Sequence, residues 1–114
     1  MQSTRRYPRY SCAGSAEVSD GGTGRIWGEL VDLSSAAFYM STFGPWPVGK
    51  QVLVQLQSEE MVVGGTGVVV TSHPGVGMAV LFEDLSSENQ EILKALVHTL
   101  ESKGGSAGSA GAAS

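Results

Sequence analysis

The clearest periodicity in the chain is an alternation of apolar and polar residues over 50–57, which puts Val52 and Leu56 on one face. A period of two is typical of a β-strand with one buried face. Five other segments fit strands, some by loose alternation and some by their valine content: 10–19, 25–31, 36–42, 68–71 and 76–82. The pattern therefore predicts a mainly β protein.

Within the second of these strands, several apolar side chains are candidates for the core: Ile26, Trp27, Leu30 and Val31. Gly-Gly-Thr-Gly occurs twice, at 21–24 and 64–67, where strands are expected to turn or bulge. A phosphate-binding P-loop needs Gly-Lys-Ser/Thr at the start of a helix, and neither copy has it. We interpret both copies as glycine-rich segments that allow a strand to turn or bulge.

Residues 44–49 form a loop, because prolines flank Trp46 and glycines bound the segment. Two roles are open to Trp46, stacking on a base or covering the end of the folded core. The second is favoured, because an aromatic side chain held between prolines commonly packs on a core.

The C-terminal part predicts one helix. Ser87 and Gln90 have capping-box spacing, and an apolar stripe at helical spacing follows: Ile92, Leu93, Leu96, Val97 and Leu100. The stripe favours packing on the rest of the domain, although a partner-binding helix has the same pattern. From 104 to 114 only Gly, Ser and Ala occur, a composition that predicts a flexible tail.

Composition narrows the class of protein. A length of 114 residues with 41% hydrophobic content suits one domain. The formal net charge of −4 argues against broad nucleic-acid binding, which requires a basic face. Cys12 is the only cysteine, so we expect it to be an ordinary strand residue and not part of an internal disulfide or a cysteine-based metal site. Since no apolar run approaches the roughly 18 residues of a membrane span, we expect a cytoplasmic protein.

Positive charge is concentrated at the N-terminus, where three of the four arginines occur at Arg5, Arg6 and Arg9. Pro8 favours extended backbone, which places Arg5 and Arg9 on one side of an arm. Guanidinium groups bind phosphate oxygens or the O6/N7 edge of guanine bidentately. A solvated basic tail is the alternative interpretation.

A second group of polar residues lies at Asp32-Leu33-Ser34. If this segment is extended, Asp32 and Ser34 share one face. The carboxylate can accept hydrogen bonds from guanine N–H groups, and the hydroxyl can donate to a phosphate. Small residues at Ala36 and Ala37 leave room for a flat ligand. A turn in which the side chain bonds its own backbone is the alternative.

Taken together, the two groups resemble the motifs of PilZ domains, the bacterial module that binds cyclic di-GMP. The Arg-x-x-x-Arg motif corresponds to Arg5–Arg9, and Asp/Asn-x-Ser-x-x-Gly corresponds to Asp32–Ala37. The resemblance covers about residues 3–101 and includes further segments at 47–49, 77–82 and 84–88. It implies a six-stranded antiparallel β-barrel with a C-terminal helix packed on it over 10–102, an N-terminal arm over 1–9 and a tail over 103–114.

The resemblance also implies a function. Arg5 and Arg9 would bind the phosphates and one guanine of cyclic di-GMP with help from Arg6, while Asp32 and Ser34 would bind the other guanine edge and a phosphate. Binding would order the arm and signal to an unidentified partner protein. The expected state is a monomer or a ligand-dependent dimer, without a cofactor, a metal or membrane insertion.

Ala37 departs from the motif, which has glycine at this position. If that glycine serves a positive φ or a close approach of the ligand, the added methyl group weakens binding. The alternative function is therefore a PilZ-like adaptor that works by protein contacts. An enzyme is disfavoured, because His73 lies in a Pro-Gly turn, His98 lies on the helix, and neither adjoins a nucleophile.

Overall fold

The computed structural model describes residues 8–103, and within that range it contains six strands and one helix. Their bounds are β1 (Tyr10–Ser19), β2 (Arg25–Leu33), β3 (Ala37–Ser41), β4 (Gln51–Ser58), β5 (Met61–His73), β6 (Gly77–Asp84) and α1 (Ser87–Ser102). All neighbouring strands are antiparallel, and the order β1-β2-β3-β6-β5-β4 closes into a barrel. The predicted six-stranded antiparallel barrel with a C-terminal helix is confirmed. Most of the expected arm and tail lies outside the described residues.

Side chains from all six strands and from the helix form one buried apolar cluster. The inner face of β4 is the predicted one, with Val52, Val54 and Leu56 buried. In β2 the prediction is half wrong, because Leu30 is buried but Trp27 is 63% exposed and Val31 is also exposed. Strand alternation explains Trp27, since Ile26 packs against the core and the next side chain points outward.

The two Gly-Gly-Thr-Gly segments differ in structure. The first lies in the β1–β2 connection as predicted, where Gly21 has φ +88° and Asp20 accepts hydrogen bonds from the N–H groups of Gly22 and Gly24. The second lies inside β5, where a register shift between Thr66 and Gly67 fits the bulge, rather than the turn, that the sequence predicted.

Glycine is required in this part of β5 because other elements approach its backbone closely. A Cβ at Gly65 would lie 2.7 Å from the backbone oxygen of Asp84 and would clash with the side chain of Leu85. The neighbouring Gly64 N–H donates to Asn89 Oδ1 at 2.9 Å. These contacts pack the start of α1 against the barrel.

The helix begins one residue earlier than the sequence indicated. Ser86, not Ser87, is the N-cap, and its Oγ accepts from the Asn89 N–H at 3.1 Å. Asn89, the third residue of the helix, has the capping role that the sequence assigned to Gln90. Because Asn89 also binds β5, a tertiary contact stabilises this N-cap. The predicted apolar stripe packs on the barrel, with Leu93, Leu96 and Leu100 buried and Ile92 and Val97 partly buried. Trp46 likewise packs against the core, as favoured from the sequence.

Replacement of the cap tests this assignment. Ser86→Ala removes the acceptor for the Asn89 N–H and should lower the free energy of unfolding by about 1 kcal/mol. Ser87→Ala is the matched control, and we expect it to change stability by less than about 0.5 kcal/mol. Urea denaturation of both variants measures the difference, and a larger effect at Ser87 would contradict the assignment.

Candidate functional site

A β-bulge in β2 determines where Asp32 points. Leu30 pairs with Met40 and Asp32 pairs with Tyr39, so the register shifts by one residue at Val31. Unbroken alternation from the buried Leu30 would turn Asp32 into the core. The extra residue instead restores the inward direction at Leu33 and turns Asp32 to the outer face of the barrel.

Arg9 reaches Asp32 from the neighbouring strand. Ser11 of β1 pairs directly with Asp32, so the residues before β1 lie beside the carboxylate. Arg9 Nη1 lies 3.7 Å from Asp32 Oδ2, and the Arg9 side chain is 41% exposed whereas that of Asp32 is only 11% exposed. The structure therefore brings together one residue from each predicted motif. Arg5 and Arg6 lie outside the described residues.

Ser34 closes the turn between β2 and β3. Its N–H donates to the Ala37 carbonyl at 2.8 Å. Its Oγ accepts from the N–H groups of Ala36 and Ala37, at 3.1 and 3.0 Å, and donates to the Ala37 carbonyl at 3.2 Å. This matches the alternative interpretation of the motif, a side chain bonded to its own turn. Ser34 is buried, and its contacts fix the backbone beside Asp32.

Ala37 does not occupy a conformation that requires glycine. Among the described residues, the non-glycine positions with positive φ are Glu59 and Glu60. Ala37 is the first residue of β3 and pairs with Leu81 of β6. The conformational reason for glycine at this motif position is therefore absent, and only close approach of a ligand remains as a reason.

Sequence reasoning missed two residues on the same outer face. Tyr39, the partner of Asp32 on β3, is half-buried, and its hydroxyl lies 2.9 Å from Nδ1 of His73. Burial raises the pKa of Tyr39, and the nearby Asp32 carboxylate raises it further. The alternation of Tyr39 with the apolar Phe38 and Met40 was the available signal for its outward direction.

Grooves along α1 lie apart from this group. Cavities of about 330 and 590 Å³ share Ser35 and Lys94 but include neither Arg9 nor Asp32. Their linings carry four carboxylates between them, on Glu83, Asp84, Glu91 and Glu101. Such a lining disfavours an anionic ligand, so the candidate site is the open outer face over β1, β2 and β3.

Neither a membrane span nor a metal centre is evident in residues 8–103. Their helix is too short and too polar to cross a bilayer. The same residues contain no cluster of three His, Cys, Asp or Glu side chains that could hold a metal ion.

Solved structures share this fold, and one of them holds a cyclic dinucleotide. The PilZ domain of YcgR from Escherichia coli, solved with c-di-GMP, aligns with a TM-score of 0.73 at 14% identity, covering 90% of this chain and 95% of that one. The PilZ domain of CeSA from a cellulose-synthesising bacterium aligns at 0.63 and 18% identity, covering 82% and 97%. At these identities the similarity establishes the fold alone.

A longer protein shares the same barrel. The Bacillus subtilis inhibitor of motility MotI/DgrA aligns with a TM-score of 0.69 at 13% identity over 90% of this chain, which spans 53% of that protein. No curated protein gives a significant match. The PilZ domain family, however, matches residues 3–99, most of the chain. The chain therefore belongs to the PilZ domain family.

The turn beside Asp32 can be tested by stability. Ser34→Ala leaves the Ala36 and Ala37 N–H groups without their acceptor and should lower the free energy of unfolding by about 1–3 kcal/mol. Ser35→Ala, at the exposed neighbouring position, is the matched control and should be nearly neutral. Chemical denaturation compares the two, and equal stabilities would contradict the role assigned to Ser34.

Proposed function

We propose that this protein is a receptor for cyclic di-GMP that acts by binding and not as an enzyme. The observation that carries the proposal is the contact of Arg9 with Asp32 on the outer face of the barrel. It joins the two motifs that the sequence shares with PilZ domains. Structures of the E. coli YcgR domain and of YcgR with c-di-GMP support the proposal at the level of the family.

Each site residue has a chemical role in this proposal. Arg9, with Arg5 and Arg6 of the arm, binds the phosphates and one guanine through bidentate guanidinium contacts. Asp32 accepts hydrogen bonds from the N–H edge of a guanine. Ser34 holds the turn and places the backbone at Ala37 against the ligand.

The charge distribution suits a small dianion better than a polymer. The chain carries a formal net charge of −4, yet three of its four arginines fall within residues 5–9. Polynucleotides require many phosphate contacts over a basic face. A cyclic dinucleotide has two phosphates, and a few guanidinium groups at one site are sufficient for it.

The proposed output is a change of surface. Ligand binding would fix residues 1–9 against the barrel, and a partner protein would recognise the new arrangement. The alternative is an adaptor that contacts proteins without the nucleotide.

Calorimetric titration of cyclic di-GMP into the whole chain and into an Arg5→Ala, Arg9→Ala double variant tests the receptor function. One bidentate contact of arginine with guanine is worth about 1–3 kcal/mol, so we expect at least a 5- to 150-fold loss of affinity in the variant.

Arg25→Ala is the matched control for that titration, because Arg25 starts β2 and pairs with Glu17 at 2.8 Å, away from Asp32. Its affinity should equal that of the unaltered chain. No binding by the unaltered chain, even in competition at high ligand concentration, would reject the receptor and favour the adaptor.

Ala37→Gly tests the departure from the motif. Since Ala37 has no positive φ to relieve, we expect an affinity for cyclic di-GMP within about threefold of the unaltered chain, under ~0.7 kcal/mol. Glycine at the start of β3 should also lower stability by about 0.5–1 kcal/mol. A tenfold gain in affinity would instead show that the methyl group obstructs the ligand.

A further inference from the structure

The outer face continues from Asp32 across three more strands. Asp32 pairs with Tyr39 of β3, and β3 pairs with β6, where Ser41 lies opposite Gly77. Gly77 in turn pairs with His73 of β5. Asp32 and Tyr39 are therefore direct neighbours, whereas His73 lies in the row of Ser41, two residues further along β3, so the Tyr39 side chain crosses diagonally over Gly77 to reach it.

The ring of Tyr39 lies over Gly77 and is held there by His73. A Cβ at Gly77 would lie 2.7 Å from Tyr39 Cε1 and 3.0 Å from its hydroxyl oxygen, so the ring occupies the space that any other side chain would fill. The hydroxyl reaches Nδ1 of His73 at 2.9 Å, and the two ring centroids are 6.0 Å apart. Tyr39 is half-buried, so part of its side chain remains accessible from outside the barrel.

A fixed aromatic ring beside a carboxylate is suited to a purine. The carboxylate binds the base edge, and the ring binds the base face by stacking, which every nucleobase permits. Because the hydrogen bond to His73 already fixes the side chain, little conformational entropy is lost on binding. Cross-strand neighbours such as Asp32 and Tyr39 have Cβ atoms about 5 Å apart, which is within the span of one base.

We propose that Tyr39, positioned by His73 over Gly77, is the stacking surface for the guanine whose edge binds Asp32. The inference rests on the proposed function and deepens it, since it assigns a ligand contact that belongs neither to the arginine motif nor to the aspartate-serine motif. His73 is a positioning residue, because it acts through the ring of Tyr39.

Affinity measurements separate the stacking role from the hydrogen bond. Tyr39→Ala removes the ring and should weaken cyclic di-GMP binding by about 5- to 150-fold, the value of ~1–3 kcal/mol per stacked base. Tyr39→Phe keeps the ring and should retain most of the affinity. His73→Ala removes the same hydrogen bond as Tyr39→Phe, so these two variants should bind with similar affinity.

Nuclear magnetic resonance provides a readout that a purely structural role would not change. A guanine stacked on Tyr39 should shift the ring protons of Tyr39 and His73 upfield during titration of the whole chain with cyclic di-GMP. The chain has two histidines, and His98, exposed on α1, is an internal reference that should not shift. This measurement needs no variant and so does not depend on the folding of Tyr39→Ala.

The outcomes distinguish the inference from the function on which it rests. If the unaltered chain binds and the arginine double variant does not, but neither the Tyr39 and His73 signals nor the Tyr39→Ala affinity change, the stacking surface is wrong and the receptor stands. If the unaltered chain does not bind cyclic di-GMP, both are rejected. Upfield shifts at Tyr39 and His73, together with tight binding by Tyr39→Phe and weak binding by Tyr39→Ala, support the inference.

Discussion

Closure of the barrel constrains everything else in this protein. Six strands enclose one apolar core, so each strand must turn alternate side chains inward, and no space remains inside for a ligand. Binding chemistry is therefore confined to the outer face. The end of β2 must supply apolar side chains to the core and a carboxylate to the outer face. The bulge at Val31 allows both, because Leu30 and Leu33 point inward while Asp32 points outward.

The sequence predicted the elements better than their details. Alternation in β4, the apolar stripe of α1 and the Gly-rich first connection are local signals, and the structure confirms them. The bulge at Val31 left no such signal, because it depends on the register between two strands. The prediction that Trp27 packs in the core was wrong for a related reason, since hydrophobicity alone does not tell which face of a strand a residue occupies.

The candidate site shows the same limit. Two short motifs singled out Arg9 and Asp32, and the structure brings these two residues within 3.7 Å of each other. The contact of Tyr39 with His73 joins residues 34 apart in sequence and exists only after β3, β6 and β5 pair. Ser34 also has a clearer role in the structure, where all its hydroxyl contacts are within the turn.

The strength of the Arg9–Asp32 contact bears on how a ligand would enter. At 3.7 Å, with 41% of the Arg9 side chain exposed, the pair is screened by solvent and is worth no more than about 1 kcal/mol. Each bidentate contact of arginine with guanine is worth about 1–3 kcal/mol. A nucleotide whose phosphate or base binds Arg9 therefore gains more binding free energy than is lost when Arg9 leaves Asp32. The Asp32 carboxylate can then accept hydrogen bonds from the edge of a guanine. In the proposed function, the bulge that turns Asp32 outward thus makes the same side chain the partner of Arg9 before binding and a ligand contact afterwards.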